Sequence, residues 1–199
     1  MGSSTMIDII SSFLISGILL LVALRMNERA IKNTYYSEEN LTVQQNMTSL
    51  VESLEYDFRK IGYCRNATLL RDPSRFIQYG DTNSISFLTD VNNDGNVDTV
   101  KYWLGNNPIL GCQNPNARML YRQVDNGPAV ASNLGITEFH IAYFNTFGGQ
   151  LSTPFGAPNQ AQVIRITIMV QPAAAYDTTF ATNFSLWQQT RLVSRNLKR

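Results

Sequence analysis

The chain has 199 residues with 16 basic and 15 acidic side chains and a single histidine, so it carries no field of one sign with which to hold a nucleic acid. Only two cysteines occur, which excludes a thiolate metal cluster and a disulfide-dense scaffold. About 60 residues read as one N-terminal helix, and the remainder is enough for one domain with its own core.

The first element is an apolar run from Met6 to Met26, with one acid near its start, Asp8, and a small residue at its centre, Gly17. Its uncharged part, Ile9 to Leu24, lies at the short edge of what spans a bilayer, where roughly 20 residues are normally needed. A secretory leader would show a basic n-region and a small-residue cleavage site, and neither is present. Beyond Met26 the chain meets no Pro or Gly until Gly62. Over that distance Ile31, Tyr35, Leu41, Met47, Leu50, Val51, Leu54, Phe58 and Ile61 recur mostly three or four apart, the pattern of one helix face. The spacing predicts a single helix from about Thr5 to Ile61, roughly 85 Å long at 1.5 Å per residue. The domain division expected from this change of pattern is 1–62 for the helix and 63–199 for a β-rich globular domain.

After Gly62, segments rich in β-branched and aromatic residues alternate with Gly, Asn, Asp and Pro. Seven strands are expected: Arg75–Tyr79, Ser84–Thr89, Val97–Leu104, Met119–Val124, Ile136–Phe144, Val163–Val170 and Leu186–Asn196. Residues 148–162 and 171–182 read as long surface loops. The fold class is therefore α+β, a long helix packed on an antiparallel sheet.

The opening residues resemble those of the type IV pilins and the pseudopilins of type II secretion, whose mature chains begin near F-T-L-I-E and continue as an apolar helix. Ser4-Thr5-Met6-Ile7-Asp8 is similar to that opening with the acid at its fifth position, and Gly17 then falls at the fourteenth, where the family often has glycine. Asp stands in place of the usual Glu, Arg25 stands where a kinking Pro is common, and Gly2 is the nearby residue at which a leader of the class III type would be cut. The blocks SISFLTDVNNDGNVDTVKYWL, MLYRQVDNG, ITEFHIAYFN, VIRITIMV and LVSRNLKR resemble the minor-pilin branch in order and spacing. The resemblance implies a filament subunit of a type IV pilus or pseudopilus. It would be held in the bacterial inner membrane before assembly and become periplasmic or cell-surface afterwards. Its partners would be copies of itself or other pilin-like subunits, met through Asp8, Gly17 and the surrounding helix. The alternative is a membrane-anchored, calcium-dependent adhesion or binding domain that does not polymerise.

Arg25, Arg29 and Lys32 follow the apolar run and no Lys or Arg precedes it, which by the positive-inside rule alone would leave the domain in the cytoplasm. The resemblance, the cysteine pair and the low-charge body argue for export instead. In an oxidising compartment Cys64 and Cys112 can form a disulfide worth about 4 kcal/mol, the alternative being two buried thiols.

The motif closest to site chemistry is the run from Asp90 to Asp98, DVNNDGNVD. Asp90, Asn92, Asp94, the Asn96 carbonyl and Asp98 place oxygens at positions 1, 3, 5, 7 and 9 around a Gly at 6, the start of a calcium loop. Lys101 at position 12 and the absence of flanking helices exclude an EF-hand, and the same residues suit a hairpin turn with no metal. His140 lies in an alternating strand, and no nucleophile motif or phosphate-cradling loop accompanies it, so no enzyme activity is expected. Asn40, Asn46, Asn66 and Asn183 fit N-x-[ST] but are expected to be chance matches.

Overall fold

A computed structural model describes residues 2–112, 114–171, 185–192 and 195–198. One helix, α1 (Gly2–Arg59), runs without interruption. The chain forms two compact units, Met1–Leu41 and Thr42–Arg199, and the division between them falls inside α1. The reason is burial: Val43, Met47, Leu50, Leu54, Phe58 and Ile61, spaced three or four apart, are all part of the core of the second unit. Ile31, Tyr35 and Leu41, earlier in the helix, are exposed.

The second unit pairs this helical segment with an eight-stranded antiparallel sheet. Its strands are β1 (Ile77–Gly80), β2 (Ser84–Thr89), β3 (Asp98–Pro108), β4 (Arg118–Val124), β5 (Val130–Phe144), β6 (Phe155–Gly156), β7 (Val163–Val170) and β8 (Ser185–Leu192). The order across the sheet is β6-β1-β2-β3-β4-β5-β7-β8. Alternation sets the buried face: Ile164, Ile166, Ile168 and Val170 of β7 are buried while Val163, Arg165, Thr167 and Met169 are half-buried. Phe58 of α1 meets Phe87 and Tyr102 with ring centroids 5.4 and 5.7 Å away, and each such fully buried side chain contributes about 2 kcal/mol.

Two glycines shape this unit. Gly62, with φ +71°, closes the end of the helical region; its N–H donates to the Leu88 carbonyl at 2.8 Å, and a Cβ there would overlap the Phe76 ring. Gly135, also at φ +71°, divides β5, whose residues up to Ile136 pair with β4 and whose residues from Ile136 onward pair with β7. β5 therefore starts earlier than the expected Ile136, and the expected loop over 148–162 contains the short β6. The last expected strand is shorter, and Arg195–Lys198 forms a 3-10 turn. Of the expected loop at 171–182, all but Gln171 lies outside the described residues.

Candidate functional site

Within the first unit, the large apolar side chains from Met6 to Met26 are all roughly half exposed or more, up to 79% at Phe13. Ser11 and Ser12 lie in this stretch, and their hydroxyls donate back to the carbonyls of Ile7 and Ile9 at 2.7 and 2.9 Å. Those polar groups are thus satisfied inside the helix, as a segment that enters hydrocarbon requires. The helix is long and apolar enough to cross a membrane. Asp8 is exposed on it, and Gly17 has open space where a side chain would be. Gly2 is the first residue of α1.

In the second unit the acidic run forms the connection between β2 and β3. Asp90 itself is buried, and its backbone N–H donates to the Tyr63 carbonyl at 2.8 Å, fixing the loop against the segment that follows α1. Its carboxylate accepts N–H bonds from Gly95 at 2.9 Å, Arg65 at 3.1 Å and Asp94 at 3.1 Å. Burial pushes its pKa up, but these amides together with that of Asn93 outweigh burial and hold it below the ordinary carboxylate value. Asp94 is likewise held low, first by the backbone N–H of Asn96 at 2.7 Å and then by the Asn92 side chain at 3.0 Å. Asn93 and Gly95 both have positive φ, 61° and 94°, which lets the chain turn tightly enough for these contacts. Asp98 closes the loop by accepting the Val91 N–H at 2.8 Å. Its pKa is raised by burial and by the charges of Asp125, Asp94 and Asp90, against the lowering effect of the Val91 bond.

The fold therefore brings Asp90, Asn92, Asp94 and Asp98 into one turn, as the spacing suggested, yet turns their oxygens onto the loop's own donors. Asn92 presents its Nδ2 to the Asp94 Oδ2 and accepts the Asp94 N–H on Oδ1 at 3.2 Å. Among the described residues no group of three His, Cys, Asp or Glu side chains is placed to hold a metal ion.

Cys64 and Cys112 are not bridged in this structure. The buried Cys64 Sγ points into the acidic loop, 3.5 Å from the Gly95 carbonyl, 3.8 Å from that of Asn96 and 3.9 Å from Asp90 Oδ2. Cys112 sits in the β3–β4 connection, where its N–H donates to the Ile109 carbonyl at 3.2 Å. His140 is exposed on β5 opposite Thr167.

A cluster that the sequence reading missed lies between α1 and the sheet of the second unit. Asp57, 5% exposed, accepts the Tyr102 hydroxyl at 2.6 Å and the Arg122 Nε at 2.6 Å, and Arg122 Nε is also 3.1 Å from the Tyr102 oxygen. Burial and then the Asp57 charge push the Tyr102 hydroxyl far above its ordinary pKa, so it remains a donor. The available signal was position: Asp57 lies three residues after Leu54 and four before Ile61, within the buried stripe.

These features define an α+β protein with an exposed apolar helical segment and an antiparallel sheet domain. No protein-family model, curated protein or solved structure matches the chain.

Proposed function

We propose that the protein is a pilin-like structural subunit, inserted in a bacterial inner membrane and assembled through α1 into a type IV pilus or pseudopilus-type filament. The observation that carries this reading is the run from Met6 to Met26, apolar and exposed on every side, with a single carboxylate at Asp8. An acid within a lipid-embedded helix costs about 3 kcal/mol, and an anchor alone gains nothing from it. A neighbouring subunit's terminal amine would neutralise it, and Gly17 would let helices approach closely. The expected outcome is that Asp8→Ala leaves the protein stable and membrane-inserted but removes it from sheared surface filaments, scored by immunoblot of the sheared and membrane fractions. Wild-type amounts of the variant in filaments would overturn the assembly role.

The second reading is a membrane-anchored, calcium-dependent binding domain that does not polymerise. It is favoured by the gathering of Asp90, Asn92, Asp94 and Asp98 in one turn, and opposed by the use of their oxygens as acceptors for loop donors.

A further inference from the structure

A cleft of about 500 Å³ opens on the second unit, away from the acidic loop. Six of its lining residues have planar polar side chains: Asn83, Asn106, Asn116, Arg118, Glu138 and Gln171. Leu104 and Met169 supply an apolar part of the lining. We propose that this cleft is a binding site for the sugar units of a neutral oligosaccharide.

The charge balance selects the ligand class first. One cation and one anion line the cleft, so a free anion would meet Glu138 and a free cation Arg118, while an apolar ligand would desolvate the amides of Asn106 and Asn116; the Asn83 amide already faces the Thr82 and Phe139 carbonyls at 3.2 and 3.1 Å. Amide, guanidinium and carboxylate groups offer paired donors and acceptors in a plane, which suits the adjacent hydroxyls of a pyranose. The polar groups are held from behind. Arg118 Nη1 donates to the carbonyls of Pro115 and Ala117 at 2.6 and 3.0 Å, which fixes its fork before any ligand arrives. The buried Asn114 donates to Gln171 Oε1 at 3.1 Å and accepts the Asn116 N–H at 2.9 Å, so one amide sets two of the lining residues. Such preorganisation lowers the entropic cost of binding.

The inference is independent of assembly, since none of the cleft residues belongs to α1. It is tested with the full chain in a detergent lacking a sugar headgroup. The probes are maltotetraose, cellotetraose and chitotetraose, read by saturation-transfer NMR and titration calorimetry. At least one should bind with a Kd on the order of millimolar, and Glu138→Gln and Asn106→Ala should each weaken it by about tenfold or more without moving the melting curve. Binding by none of the three, or binding that both variants leave unchanged, overturns the proposal. So does glycylglycine binding in their place and being lost in Glu138→Gln, which would assign the cleft to a zwitterionic peptide.

Discussion

Asp57 is the position at which one substitution separates the contribution of the buried polar cluster from that of the surrounding apolar core. Removing one partner of a buried ion pair costs about 3–5 kcal/mol, because the other charge is left without a counterpart. The Asp57 side chain is 7% exposed but that of Arg122 is 30% exposed, so after Asp57→Ala the guanidinium still reaches water. That access reduces the expected cost to about 2–3 kcal/mol, with the Tyr102 hydroxyl losing the acceptor for its proton as part of it. At about 2–4 °C per kcal/mol for a unit of this size, the melting temperature should fall by about 4–12 °C. Arg122→Met should cost more than Asp57→Ala, since it strands the more buried of the two charges.

Thermal melts of the full chain in detergent, followed by near-ultraviolet circular dichroism, measure both variants and the double variant. The coupling energy between the two positions should exceed about 1 kcal/mol. Replacing the whole cluster, as Asp57→Leu with Tyr102→Phe and Arg122→Met, should recover most of the loss, because apolar groups of similar volume substitute for a buried pair at little cost. Additivity of the two single variants within about 0.5 kcal/mol would refute the idea that Asp57 and Arg122 act as a pair.

Four further outcomes follow from the second unit. Gly135→Ala should destabilise by about 3 kcal/mol or more, because its Cβ would overlap the Gln171 carbonyl at a positive φ; Gly111→Ala, with φ +79° and open space, should lose only about 1 kcal/mol, and equal melting temperatures for the two would count against the clash. The depressed pKa of Asp90 contributes stability above its unfolded value near pH 4 that is lost as the pH falls through the folded value, so Asp90→Asn should flatten the acid limb of the stability curve. Asp98 has the opposite sign: with its folded pKa raised, its protonated form is favoured at low pH and the advantage is lost as the pH rises through that value, so Asp98→Asn should raise the melting temperature at pH 7 and not at pH 3. Melts in chelator and in millimolar calcium should coincide if the loop is a self-satisfied turn, whereas a cation site would add about 2.7 kcal/mol at a hundredfold excess over Kd.

Local chemistry made much of this fold legible. Ser84–Thr89 and Val163–Val170 occur with the expected bounds, because period-two alternation between turn residues is a local signal. The apolar spacing of α1 was equally visible, but the point at which burial begins was not. Leu41 and Val43 are two residues apart and so lie on opposite sides of the helix; Val43 shares the face of Met47 and Leu50 and is buried, while Leu41 is exposed. The Asp57 and Arg122 pair spans 65 residues of sequence, and its formation depends on β3 and β4 lying side by side under α1. A charged residue inside an apolar stripe indicated that some partner was needed without indicating which.

The acidic loop shows why one signal supports two chemistries. An Asx turn uses a side-chain oxygen of Asp or Asn to accept a nearby backbone N–H, and calcium uses the same oxygens at the same spacing as ligands. The sequence from Asp90 to Asp98 therefore satisfies both templates, and the discriminating quantity is how many lone pairs the backbone consumes. Here Asp90 accepts three amides on its two oxygens, Asp94 accepts a backbone amide and a side-chain amide on separate oxygens, and Asp98 accepts one. The Cys64 thiol adds a further donor 3.9 Å from Asp90. Most of the Asp90 lone pairs are taken while Asp94 and Asp98 keep free ones, so whether a cation adds to this turn is answered by one melting experiment.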